Sequence, residues 1–275
     1  MGYKVCPKCE LNYILDTEEM CKSCQDSMQS QKAHRSRQHS SKRVVPRKNI
    51  AFKCNFCNGG EHVNGVGFSG ICSDELLQFN VTNKVWCGSN ECLCKKYANG
   101  VITRNELESE YQKDNRCVCY ESHLLVNWEM AAGFVVRGIN QGKPNKLLGV
   151  RTNSLCVLTT QMPNARPEER YIFAAFIVKR GDEGDETNAG LVISDEKYRI
   201  SLTFEEAQKM SFWKYYQNDS DKAPMKWGTG LFRYLDDSAS VAILQDIVKL
   251  KKDVHEKEKA EELLNYFISV NKITI

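Results

Sequence analysis

The sequence predicts an α+β protein: a cysteine-rich N-terminal half followed by a small β-barrel domain with flanking and C-terminal helices. Three observations carry this. Twelve of the thirteen cysteines lie in residues 6–119, and only Cys156 lies beyond. Several form C-x-x-C pairs, the spacing at which two sulfurs converge on one metal ion. Beyond "CYESHLLVNWEMAAG" the pattern changes to β-branched and aromatic runs divided by Pro-, Gly- and Asn-containing loops, which read as strands.

With 275 residues there is room for two domains, or for one domain with small satellites. A composition of 41% apolar and 27% charged residues is that of a globular chain, and no run approaches the roughly 18 apolar residues that span a bilayer. The opening "MGYKVCPKC" reaches cysteine too early and is too polar for a signal peptide. Gly2 stands where a myristoyl acceptor would, but Cys6 takes the place of the required Ser or Thr. The expectation is a soluble cytoplasmic protein without a membrane partner. In a reducing compartment, an odd number of cysteines in C-x-x-C pairs points to metal thiolates rather than disulfides. The net charge of +3 is modest, so any argument for nucleic acid rests on where the charge sits.

Residues 1–27 read as a zinc ribbon. Cys6, Cys9, Cys21 and Cys24 stand in a C-x2-C-x11-C-x2-C arrangement, two knuckles that a short hairpin closes into a tetrahedral site. A segment this small cannot bury a sufficient core, so the metal stabilises it; structural Zn²⁺ contributes on the order of 10–16 kcal/mol in finger peptides. A pair of redox dithiols is the alternative, but the βαβ context of such sites is missing. Residues 28–50 read as a basic linker. From Ser27 to Gly60 there is no Asp or Glu, while Lys32, Arg35, Arg37, Lys42, Arg43, Arg47, Lys48 and Lys53 are basic. Such an arm suits a phosphate backbone, with Lys42, Arg43, Arg47 and Lys48 as candidate contacts. The plainer reading is a solvated linker.

Residues 51–123 form a second cysteine-rich module carrying Cys54, Cys57, Cys72, Cys87, Cys92, Cys94, Cys117 and Cys119, with His62 and His123 nearby. "CNFCNGG" is a knuckle whose glycines permit a tight turn around the sulfurs. Cys92 and Cys94 point the same way only on extended backbone. Two arrangements stay open. Either Cys87, Cys119 and one of Cys92 and Cys94 close one site while Cys54, Cys57 and Cys72 serve another, or a larger cluster is shared. Zinc in two or three sites along the chain is the expected cofactor; an iron–sulfur cluster on the central cysteines is the alternative, and packed free thiols a third. "GVITRNELESEYQKDN" predicts a helix capped by Thr103 and Glu106. No catalytic constellation emerges. The pairing of H-x-E or C-x-E with P-C-x-x-C that marks zinc deaminases is not found. The five histidines are scattered, and Asp74 with Glu75 lacks the lysines of a nuclease site.

Residues 124–275 form the β domain. A helix packs Leu124, Leu125 and Trp128, and strands are expected at 153–160, 170–180 and 190–203. The middle strand is apolar on both faces and belongs inside a sheet. "GDEGDE" reads as a solvated acidic loop. Thr203 with Glu206 caps a helix through "TFEEAQKMSFWKYYQN", a second helix runs from about Asp237 to Lys251, and a last one reaches roughly Ser269.

"NSLCVLTTQMP", "EERYIFAAFIV" and "GLVISDEKYRISL" resemble the PUA, ASCH and EVE superfamily. Together with "CYESHLLVNWEMAAG" and "FWKYYQN…KWGTGLFRYL", they make nearly the whole chain similar to bacterial zinc-ribbon proteins carrying such a domain. The resemblance implies a PUA-like barrel that binds nucleic acid, with a concave pocket for modified bases and a link to restriction or defence through a nuclease partner. By that resemblance the pocket is walled by the strands at 153–160 and 170–178 and by the segment carrying Trp213, Tyr215 and Tyr216. Trp227 and Arg233 come from "KWGTGLFRYL". An extruded base is held by stacking and edge hydrogen bonds, stacking being worth about 1–3 kcal/mol per base. Trp213, Tyr216 and Trp227 are the candidate stackers, Asn153 and Thr160 the candidate edge partners, and Arg233 a phosphate or edge contact. Packing in the barrel core is the alternative for the aromatics. The expected function is a DNA reader, with RNA also open. The alternatives are an iron–sulfur or metal-dependent nucleic-acid-processing enzyme, and a zinc-dependent protein-interaction scaffold.

Overall fold

The computed structural model describes residues 3–7, 13–15, 17–22, 25, 45–60, 66–113, 118–217, 225–228 and 230–274, and the chain divides into two units, Met1–Val45 and Pro46–Ile275. In the first unit, β1 (Tyr3–Val5) and β2 (Tyr13–Leu15) pair antiparallel, with Lys4 opposite Ile14. Its buried residues are Cys6, Ile14 and Cys21, with Met20 packed against them. Three of the four residues of this small core therefore carry sulfur.

The second unit is mixed α+β, built on a six-stranded sheet curled into a half-barrel. Its strands are β3 (Asn49–Lys53), β4 (Glu129–Ala131), β5 (Leu155–Thr160), β6 (Tyr171–Gly184), β7 (Ala189–Ser201) and β8 (Phe232–Leu235). They lie in the order β4-β7-β6-β5-β3-β8, and every pairing is antiparallel except β3 with β5, where Ile50 stands opposite Cys156. All six residues of β5 and the first eight of β6 are buried, as expected of apolar runs inside a sheet. Beyond Val178 the β6–β7 hairpin runs on with its face exposed as far as Gly184 opposite Ala189. The first four residues of "GDEGDE" thus extend a strand, and the turn is confined to Asp185–Asn188. There the Asp185 carboxylate accepts the backbone N–H groups of Thr187 and Asn188 and is held far below the usual carboxylate range by them.

Strand β3 crosses the boundary at residue 50 between the expected linker and cysteine-rich module, and it lies between β5 and β8. Nor do the cysteine-rich residues stand apart from the β domain. Phe68 stacks on Phe173 of β6 at 4.0 Å, and Cys54, Cys57, Cys72, Cys87, Cys94 and Cys119 share one continuous core with β5 and β6.

The helices are α1 (Asp74–Asn83), α2 (Leu93–Ala98), α3 (Arg104–Gln112), α4 (Leu124–Asn127), α5 (Phe204–Gln208), α6 (Asp237–Leu250) and α7 (Val254–Asn271). Both expected capping boxes form, Thr103 with Glu106 and Thr203 with Glu206. The helix after Thr203 is only five residues long. Its continuation is diverted because the Met210 carbonyl accepts from Ile172 N–H and Phe212 N–H donates to the Arg170 carbonyl, tying the chain to the start of β6. A 3-10 turn at Phe212–Lys214 follows. Helix α4 is likewise short, ended by Trp128 at a φ of 52°, which turns the chain into β4.

Candidate metal centre

In the first unit the backbone N–H of Cys21 donates to Cys6 Sγ at 3.3 Å, so the leading cysteines of the two C-x-x-C pairs adjoin. Cys9 and Cys24 lie outside the described residues, as do His62, Cys117, Lys42 and Arg43.

The second unit gathers the central cysteines into pairs. Cys57 Sγ lies 3.3 Å from Cys72 Sγ, and Gly59 N–H donates to Cys57 Sγ at 3.4 Å. Close backbone approach makes this pairing: a Cβ on Gly59 would lie 2.1 Å from the Gly70 carbonyl oxygen, so only glycine lets residues 57–60 lie against 69–72. Cys87 and Cys119 are hydrogen-bonded to one another. Cys119 Sγ also donates to Glu121 Oε2 at 3.3 Å, while Glu121 Oε1 accepts Asn55 N–H at 3.2 Å. The ligating atoms of Cys87, Cys119 and Glu121 all lie within 4.8 Å of one another, and all three residues are buried. Cys92 and Cys94 form the third pair. Cys92 is the extended N-cap of α2 and Cys94 its second residue, so a helix start, not a strand, brings them together.

The electrostatics of the pairs follow from shared protons. The hydrogen bond with Cys94 pulls the half-buried Cys92 thiol down to about 6, while the same bond and burial push Cys94 up. The bond with Cys72, then burial, raises Cys57, and Cys72 is lowered in turn. The bond with Cys87, then burial, raises Cys119. Metal binding displaces thiol protons, so the thiols that pair in this way are the ones an ion would deprotonate and hold. Two sulfurs bound at ~2.3 Å to one tetrahedral ion lie about 3.8 Å apart, farther than the 3.3 Å between Cys57 and Cys72, so this pair would open by a small side-chain adjustment to share an ion. The residues present thus fit a thiolate-bound metal. The pairs lie within electrostatic range of one another: Cys94 senses Cys87 and Cys72, and Cys119 senses Cys57. Cys54 adjoins them, pushed up by burial and by the Glu121 charge. Cys156, raised by burial, is a packed core thiol.

Glu121 escaped the sequence reading. Its signal was the C-x-E spacing of "CYE", in which a 3-10 turn at Tyr120–His123 returns the carboxylate to the Cys119 thiol. His123 is buried and stacks on Tyr111 at 4.4 Å.

The expected base-reading residues are placed as follows. Trp213 and Trp227 are only 6% and 4% exposed. Their indole N–H groups donate to the carbonyls of Pro167 at 2.7 Å and Gly230 at 2.8 Å. With Tyr216 they surround Phe212, and Arg233 lies over the Trp227 ring at 5.5 Å. Four of the candidates therefore do come together, but the two tryptophans sit in the core. Thr160, also buried, donates to the Cys54 carbonyl at 3.2 Å, and Asn153, at a φ of 70°, accepts from Tyr266 and Asn271. Arg47 is tied to Asp237 and Asn49, and Lys48 lies 4.4 Å from the Tyr234 ring centre. The polar groups of Thr160, Asn153 and Arg47 are thus used by the fold itself.

Among the described residues no helix is long and apolar enough to cross a membrane. No protein-family model, curated protein or solved structure matches the chain. Fold and site together define an α+β protein with a buried cysteine and carboxylate group able to hold a metal ion.

Proposed function

We propose that this chain is a nucleic-acid-binding protein, a DNA reader, whose cysteine centre holds structural zinc. The first unit is in this reading a zinc ribbon and the half-barrel a PUA-like domain, with DNA cleavage left to a nuclease partner. One observation carries the nucleic-acid assignment: from Ser27 to Gly60 the chain has eight Lys and Arg and no carboxylate, and this run leads directly into the knuckle at Cys54 and Cys57. A structural role for the metal is supported by the burial of its candidate ligands in the core shared with the sheet, where a substrate has no access.

Titration of modified and unmodified DNA and RNA oligonucleotides at several salt concentrations tests the reading. Affinity should fall steeply with salt, and the combined Lys42→Gln, Arg43→Gln and Lys48→Gln variant should flatten the slope of log K against log [salt] by roughly 2–3. Absence of salt-dependent binding to any DNA or RNA removes the assignment. One observation favours the iron–sulfur alternative, namely that the thiol pairs lie within electrostatic range of one another. Metal analysis decides between them: bound zinc without visible absorbance upholds the zinc reading, whereas iron with sulfide and a brown colour replaces it.

A further inference from the structure

A group of cations in the second unit has no use in the metal centre. Arg170, immediately before β6, is 5% exposed, and its Nη1 donates to the Thr159 carbonyl and Oγ1, both at 3.1 Å. Among the described residues nothing accepts from its Nε or Nη2. Lys53, at the end of β3, pairs with Thr159 across the sheet and sends Nζ to the Gly228 carbonyl at 3.2 Å. Arg233, from β8, donates to the carbonyls of Trp227 and Phe232. The guanidinium carbons of Arg170 and Arg233 lie 5.1 and 5.5 Å from the centre of the same Trp227 ring, and both arginines are within electrostatic range of Lys53. No carboxylate among the described residues pairs with any of the three. Room is kept for this packing: a Cβ on Gly230 would stand 2.7 Å from Arg233 Nη1.

We propose that Lys53, Arg170 and Arg233 form a subsite for a phosphoryl group. Arg170 is buried and Lys53 and Arg233 are half-buried, with no carboxylate paired to them among the described residues; like charges gathered so are unfavourable, and a bound anion offsets that cost. Two guanidinium forks and one ammonium match the several acceptor oxygens of a phosphoryl group better than the two of a carboxylate. The site stands on this geometry alone; the nucleic-acid reading supplies only the natural source of the phosphoryl group, a polynucleotide backbone rather than a free phosphate ester.

The test is ³¹P line broadening and thermal shift of the full chain with inorganic phosphate, thymidine 5′-monophosphate and a single-stranded oligonucleotide, at ionic strength held constant with sodium chloride. Wild-type protein should bind inorganic phosphate saturably. Arg233→Gln and Arg170→Gln should each weaken that binding about tenfold or more, the loss expected when a charge-assisted hydrogen bond goes. Arg233 is partly exposed, so its variant remains a test if Arg170→Gln fails to fold. Absence of saturable phosphate binding, or equal affinity in wild type and Arg233→Gln, overturns the subsite. An oligonucleotide bound equally well by Arg233→Gln overturns it while leaving the nucleic-acid assignment standing. Phosphate or monophosphate bound with no affinity for the oligonucleotide upholds the subsite and overturns that assignment.

Discussion

Glu121 is the residue that changes the description of the centre, because it adds a carboxylate to what reads as an all-thiol group. Replacing Cys87 or Cys119 by Ser is expected to lower bound metal per chain and the unfolding midpoint together, read by elemental analysis and calorimetry. Glu121→Gln keeps the shape and removes the charge, so metal affinity should fall roughly 10–100-fold, measured by competition with a chromogenic chelator. An unchanged affinity would leave Glu121 only as the acceptor for Asn55. The tryptophans carry a second expectation. Since Trp213 and Trp227 are buried with satisfied indoles, truncating either to Ala should cost about 3–5 kcal/mol of stability. A melting temperature near that of the parent would return them to a binding role. Of the thiol pairs only Cys92 with Cys94 is close enough in sequence to be legible from spacing; Cys57 meets Cys72, and Cys87 meets Cys119, across longer stretches of chain. Whether an aromatic is packed or presented was not legible either, because burial depends on residues far away in sequence.

Among the elements, those with local signals were legible. Thr103 and Thr203 announced their helices through the capping box, and the apolar run of β6 announced an interior strand. The length of α5 was not legible, since bonds to the start of β6 end it. Helix α6 is fastened to the neighbouring 3-10 turn through Asp246, which accepts from Lys214, from Tyr215 at 2.8 Å and from Lys249 at 2.9 Å. Burial pushes this carboxyl up, but the three hydrogen bonds prevail and hold it well below the usual carboxylate range. A folded-state pKa below the unfolded one means stability that is fully present above about pH 4 and lost as pH falls through the folded value. Asp246→Asn should therefore flatten the acid limb of stability against pH, while changing little of its slope between pH 5 and 7. A parallel downward shift at every pH would show that Asp246 contributes packing rather than charge.

At the scale of the molecule, the sequence divides at residues 50 and 123, whereas Pro46–Ile275 is one unit with one core. Five residues, "NIAFK", at the end of a basic run carry no strong signal of their own. They become a buried strand only through β5 and β8, which lie far along the chain. Because the thiol pairs sit in the sheet's own core, chelation should not melt a separate module. It should lower the single unfolding transition of this unit, with far-UV and near-UV signals falling together. A β-sheet signal that survives full metal removal would contradict this. The position of β3 also sets a schedule for synthesis. The side chain of Asn49 meets Leu155, 106 positions later, and Asp237, 188 positions later. At about 5–20 residues per second, a nascent chain carries this strand unpartnered on both edges for roughly 5–20 s, until β5 is made, and on the β8 edge for roughly 10–40 s. Truncations ending before β8 should therefore aggregate during expression even in zinc-replete medium, and slower elongation should lower the yield of the intact protein.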